Sequence, residues 1–172
     1  MELRPELMPP ALDDQLVARL AELAAHLDGD PDESMRVEFN QLAGTNIPMA
    51  EFQGIYGGED HADYVRRVLY HRRIKRAPNV TRAELAEIVR RAMPQNGFPD
   101  QHRAYMAVFD ANVPLEGASN LIFYPPDYDP ATNTWGGGRP MGEYDPTPEQ
   151  VVEWAQAPDA DGVGELLARR RR

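Results

Sequence analysis

The segment Ser119–Asp129, SNLIFYPPDYD, decides how the second half of this chain is read. Leu121, Ile122, Phe123 and Tyr124 run consecutively, Pro125 and Pro126 stop them, and Asp127, Tyr128 and Asp129 follow. A short, continuous apolar run fits a buried strand. It fits equally a helical turn that turns Leu121 and Ile122 inward and offers Phe123 and Tyr124 to solvent. Periodicity alone does not separate the two, so the flanking elements decide.

Those elements read as helices. Upstream, Thr81 and Glu84 make a T-x-x-E capping box, and Leu85, Ile88, Val89 and Met93 repeat at helical spacing behind it. MPQNGFP breaks this helix, and DQHRAYMAVFDA starts the next, with Tyr105, Met106, Val108 and Phe109 as its apolar residues. Downstream, Thr147 can cap a helix with Pro148 at its first position and Gln150 at its third; Val151, Val152 and Trp154 would pack. Between two helices and a third, SNLIFYPP reads as a short helical turn. The stretch DPATNTWGGGRPMGEYD reads as a Gly/Pro-rich loop.

The first half repeats the pattern. Leu12, Leu16, Leu20, Leu23 and Leu27 form one stripe of an amphipathic helix that DGDPD ends. Asp30 can cap a second helix, with Pro31 at its first position and Glu33 closing a capping box; its apolar residues include Met35, Phe39 and Leu42, and Gly44 stops it. A turn around PMAEFQGIYGG follows, then HADYVRRVLYHRR as a third helix with Tyr64, Val65, Val68 and Leu69 inward. Each half runs helix, helix, aromatic turn, helix, as an old duplication would. The expected fold is all-α: residues 1–72 form a first helical domain, 73–79 a basic linker, 80–160 a second helical domain, and 161–172 a C-terminal tail.

The 172 residues carry a net charge of −10, and no Lys or Arg occurs from Ala104 to Gly138, where Asp110, Glu116, Asp127 and Asp129 lie. Such a chain repels nucleic acid and attracts basic partners, although a solvated acidic surface with no partner explains the same charges. With no cysteine, no disulfide or thiolate chemistry is open to it, which fits a reducing compartment. No apolar run approaches the roughly 18 residues a membrane helix needs, and MELRPELMPP lacks a signal peptide's apolar core. A cytoplasmic location is the expectation.

The search for catalytic or metal-binding motifs yields none. Asp28, Asp30 and Asp32 imitate the start of a calcium loop, but Glu33 stands where Gly is needed and Phe39 where Glu is needed. His26, His61, His71 and His102 have no metal-type pairing, and Gly136–Gly138 lacks the Lys-Ser/Thr of a phosphate loop. The reading is therefore a non-enzymatic binder with no cofactor and no metal.

Three segments in order, VTRAELAEIV, SNLIFYPP and DPTPEQVVEWA, resemble the immunity proteins of nuclease colicins and S-type pyocins, over about Val80 to Ala157. The first is similar to that family's first helix with its threonine cap, the second to its short third helix, the third to the start of its fourth. The resemblance implies a small four-helix immunity-type bundle, preceded here by a second small helical domain. It implies an acidic protein that inhibits a cognate nuclease toxin by direct binding. Carried over by position, the shared aromatic anchors fall on Phe123 and Tyr124, with Pro125 ending the turn and Asn120 in the place of the family's aspartate. The specificity contacts of the second helix fall on Pro99, His102, Arg103, Met106, Ala107 and Asp110. Asn120 and Phe123 depart from the family's Asp and Tyr, and the loop before the last helix is roughly 15 to 20 residues longer, beyond an ordinary connection. The general physics agrees: aromatics bury large area with few rotors, a proline-stopped turn holds them in place, and acids steer a basic partner. Two other readings share these features, an immunity protein against a toxin that is not a nuclease and an acidic adaptor or DNA mimic.

Overall fold

The structure is a computed structural model, and it describes residues 1–94 and 101–156. The protein is mostly helical, and the chain divides into two compact units: Pro10–Ile74, and Met1–Pro9 together with Lys75–Arg172.

In the unit Pro10–Ile74, helix α1 (Asp14–Gly29) starts where the Asp13 carboxylate accepts the N–H groups of Gln15 and Leu16, two donors that have no partner within a helix. Its leucine stripe turns Leu20, Leu23 and Leu27 into the core, joined by Val17 and Ala24, and leaves Leu12 and Leu16 partly buried at its edge. Helix α2 (Glu33–Ala43) is capped by Asp32 rather than Asp30. The Asp30 N–H donates to the His26 carbonyl at 2.8 Å, closing α1, and two residues on the Asp32 carboxylate accepts the N–H groups of Ser34 and Met35. Gly44 ends α2 in the left-handed region at φ 67°, as expected. Of its apolar residues Leu42 is 44% exposed; the buried face of α2 is Phe39, Asn40 and Ala43. Buried Asn40 works as a polar splice: its amide donates to the Ile47 carbonyl and accepts from the Thr45 hydroxyl and the Ile47 N–H. The aromatic stretch forms two 3-10 turns, Met49–Phe52 and Ile55–Gly57, and helix α3 (His61–Arg73) follows, capped by Asp60. Helix α1 packs against both α2 and α3, and Phe39, Phe52 and Tyr64 meet between them, the first two edge to face at 4.9 Å.

The second unit begins with residues that the domain boundaries read from sequence put elsewhere. Leu3 and Leu7 of the first nine residues are buried in it, Arg4 reaches Glu84 and the Pro78 carbonyl, and Arg91 donates to the Met1 carbonyl. The expected linker is also shorter: Arg73 is still helical, and Ala77 is buried with its N–H donated to the Asn112 side chain at 2.8 Å. Helix α4 (Arg82–Ala92) carries both halves of the Thr81/Glu84 capping box, and Leu85, Ile88, Val89 and Met93 are buried as expected. Helix α5 is His102–Asn112, a 3-10 turn spans Ala118–Ile122, and helix α6 (Pro148–Ala155) is capped by the Thr147/Gln150 box. Helix α4 packs against α5 and α6 as α1 packs against α2 and α3. In both units the first α-helix packs against the two others named, although the second unit also carries the 3-10 turn Pro5–Leu7 and a hairpin that the first lacks.

The all-α expectation fails at the loop. Thr134–Trp135 (β1) and Arg139–Pro140 (β2) pair antiparallel around three glycines whose φ values of 58°, 83° and 118° are ones that side-chain-bearing residues rarely adopt. The expected tail 161–172 lies outside the described residues.

Tyr64 carries a testable cost. It is 5% exposed, and its hydroxyl has no hydrogen-bond partner among the described residues. Burial pushes its phenol up to about 12. A raised phenol pKa leaves stability intact below the ordinary value of about 10 and removes it as pH rises toward the folded value. Tyr64→Phe should match or exceed the parent by about 1 kcal/mol in urea unfolding at pH 7, since no buried hydroxyl then goes unpaired. It should also lose less stability than the parent between pH 10 and 12, read from the same unfolding midpoints.

Candidate protein-binding site

The Ala118–Ile122 turn begins at Gly117, which sits at φ 66° and so escapes the penalty an L side chain meets there. A Cβ at this position would also approach the Asn120 amide nitrogen to 3.3 Å. The Asn120 carbonyl accepts the N–H groups of both Phe123 (3.0 Å) and Tyr124 (2.8 Å), which curls the chain once more past the turn. Of the four residues in the apolar run, Leu121 and Ile122 are each 7% exposed, whereas Phe123 is 38% and Tyr124 50% exposed. The segment is therefore a helical turn with two residues inward and two outward, and not a strand. Asn120 is exposed beside them and Pro125 is buried beneath.

Three supports hold this turn. Asp110 at the end of α5 accepts the Ser119 N–H at 2.7 Å with one carboxylate oxygen and the Ser119 hydroxyl at 2.8 Å with the other. The Tyr144 hydroxyl donates to the Leu121 carbonyl. The Tyr144 ring lies between Trp135 of the hairpin, edge-on at 5.4 Å, and Trp154 of α6, stacked at 6.4 Å. Burial first, and then the nearby Asp127 carboxylate, push the Tyr144 phenol above the ordinary tyrosine range, so it stays a donor at physiological pH. Tyr128, absent from the sequence-derived set, packs against Tyr124 with ring centroids 5.1 Å apart and widens the aromatic face. Only the tyrosine itself, four residues on and beyond two prolines, could have pointed to it.

The second-helix positions fall on one side of α5. His102, Met106, Ala107 and Asp110 are partly buried and Arg103 is exposed, while Ala104, Tyr105, Val108, Phe109 and Asn112 fill the core. Through Asp110 and Ser119 that side of α5 adjoins the turn bearing Phe123 and Tyr124. Pro99 lies outside the described residues. Asp110 is an internal anchor with both oxygens engaged, so its charge reversal would disturb the turn as well as any steering field. Asp127 accepts the Gly136 N–H at 2.9 Å, and Asp129 accepts the Thr132 hydroxyl and the Ala131 N–H, contacts that hold its carboxyl below the usual range. Asp127 and Asp129 thus brace the loop. Among the described residues, no group of three His, Asp or Glu side chains could hold a metal ion, and no helix is long and apolar enough to cross a membrane.

Comparisons with family models, curated proteins and solved structures find no match for this chain.

The anchoring role of Asp110 is open to direct measurement. Asp110→Ala should cost about 1–3 kcal/mol, the range for leaving buried donors unpaired, and should speed amide hydrogen exchange at Ser119 and Tyr124 while α4 stays protected. Unchanged exchange at Ser119 would show that the turn stands without it.

Proposed function

We propose that this protein is an immunity protein: it binds a cognate bacterial nuclease toxin domain directly, without catalysis, and blocks it. One observation carries the reading. Two adjacent aromatics, Phe123 and Tyr124, are held outward on a braced turn, inside a 35-residue stretch with four acids and no Lys or Arg. Large exposed aromatics on a rigid support are the side chains that dominate protein interfaces, because little rotamer freedom is lost when they are buried. Negative charge along the same stretch complements a nuclease, whose substrate site must be basic to hold phosphates. The order of α4, α5, the 3-10 turn and α6 supports the four-helix immunity-type arrangement that the sequence resemblance implies.

In this reading Tyr124, Phe123 and the packed Tyr128 insert into the toxin surface, and Asn120 and Pro125 shape the turn's edge. His102, Arg103, Met106 and Ala107 of α5, with Pro99 before it, select among toxins. Asp110 serves the interface by holding the turn. The chain acts in the producing cell's cytoplasm and needs no cofactor. The test is growth rescue: co-expression should protect cells from the toxin encoded beside it, and death despite stable expression sinks the reading. Tyr124→Ala should weaken binding by about 2 kcal/mol or more in calorimetry, with helicity unchanged; unchanged affinity would remove Tyr124 as an anchor.

A further inference from the structure

The most exposed large hydrophobic residue among the described residues is not in the turn just discussed. Tyr56, in the 3-10 turn Ile55–Gly57 of the unit Pro10–Ile74, is 80% exposed. It is nevertheless firmly held. The Asp28 carboxylate accepts the N–H groups of Gly54 (2.6 Å), Ile55 (3.2 Å) and Tyr56 (2.9 Å), and Ile55 is buried beneath. The same carboxylate lies 2.9 Å from His61 Nε2, and the His61 ring stacks on Tyr56 at 5.9 Å and 20°. The Tyr56 N–H and then the His61 side chain hold the Asp28 carboxyl below its usual range, so the latch stays charged and closed at neutral pH. The ring is thus fixed, with one face toward His61 and most of its surface in water.

The stretch that carries it is acidic, although three of its five acids are paired with arginines from outside. From Val37 to Val65 the chain holds Glu38, Glu51, Glu59, Asp60 and Asp63 and no Lys or Arg. Arg19, Arg67 and Arg66 from outside the stretch engage Glu38, Glu59 and Asp63. Glu51 and Asp60 remain exposed on either side of Tyr56 in the chain.

We propose that the Tyr56 turn is a second protein-docking site, on the unit Pro10–Ile74 itself, and that its partner presents a basic surface with a pocket for the ring. The partner is a different protein and not a second copy of this chain, because a net charge of −10 opposes self-association through an acidic face. The inference goes beyond the reading of Tyr124 and stands on this unit's own geometry. The ring would supply the buried anchor, and Glu51 and Asp60 would supply the steering charge.

The test uses the full chain in its native host, with benzoyl-phenylalanine placed at position 56, at 124, or at Met8 as an exposed control. The protein captured at 56 is then purified and titrated. The proposal expects capture at 56 well above the control, a cross-linked peptide on a Lys/Arg-rich surface, and at least tenfold weaker binding of the purified partner by Tyr56→Ala. Tyr56→Phe should retain most of the affinity. No capture above the control, capture of this chain's own second copy, capture on an acidic or neutral surface, or an affinity within twofold after Tyr56→Ala would each overturn it. Capture at 124 reports separately on the toxin reading, so either site can fail alone.

Discussion

Each of the two aromatic turns hangs on one aspartate that accepts hydrogen bonds from the turn itself. A 3-10 turn of three to five residues satisfies few of its own N–H groups, and those left over need an acceptor. Asp28 takes three of them at Gly54, Ile55 and Tyr56; Asp110 takes the Ser119 N–H and its hydroxyl. A charged acceptor makes such bonds shorter and stronger than a neutral one. The turn is then rigid before any partner arrives, and the apolar residues that follow are sorted, Ile55 inward and Tyr56 outward, Leu121 and Ile122 inward and Phe123 and Tyr124 outward. The two units reach this arrangement by different routes. Asp28 ends the first helix of its unit and Asp110 lies near the end of the second helix of its own.

Around the Ala118–Ile122 turn the long loop adds a second brace. Trp135, Tyr144 and Trp154 form a line of ring contacts from hairpin to α6, and the central tyrosine donates a hydrogen bond from its hydroxyl to the Leu121 carbonyl. Arg139 sits over the Trp135 ring at 5.3 Å and completes the hairpin's contact with its own tryptophan. The long loop therefore serves the turn rather than hanging from it. It also brings Tyr128 against Tyr124.

Much of the fold was legible residue by residue. Thr81, Thr147 and Gly44 sit where capping chemistry puts them, since a cap acts on groups only a few residues away. The leucine stripe of α1 and the apolar face of α4 follow from helical period alone. The errors have local causes too. In DGDPDE both Asp30 and Asp32 can cap α2, and it is Asp32 that does, while Asp30 closes α1 with its N–H. Helix α2 leaves apolar Leu42 exposed and buries Asn40, whose amide has three backbone and hydroxyl partners in the following loop. The hairpin was missed because strands of two residues carry no alternation to read.

By itself the sequence determined where helices start and stop, which apolar residues share a face, and that aromatics sit within base-free acidic stretches, because these are properties of near neighbours and composition. Only the tertiary structure decided that Met1–Pro9 belongs with Lys75 onward and that Asp28 and Asp110 hold the turns. Those outcomes depend on groups 9 to 90 residues apart in the chain finding one another. A donor left unpaired on folding is satisfied by whatever acceptor the packing brings within about 3 Å, and no pattern along the chain records which one that will be.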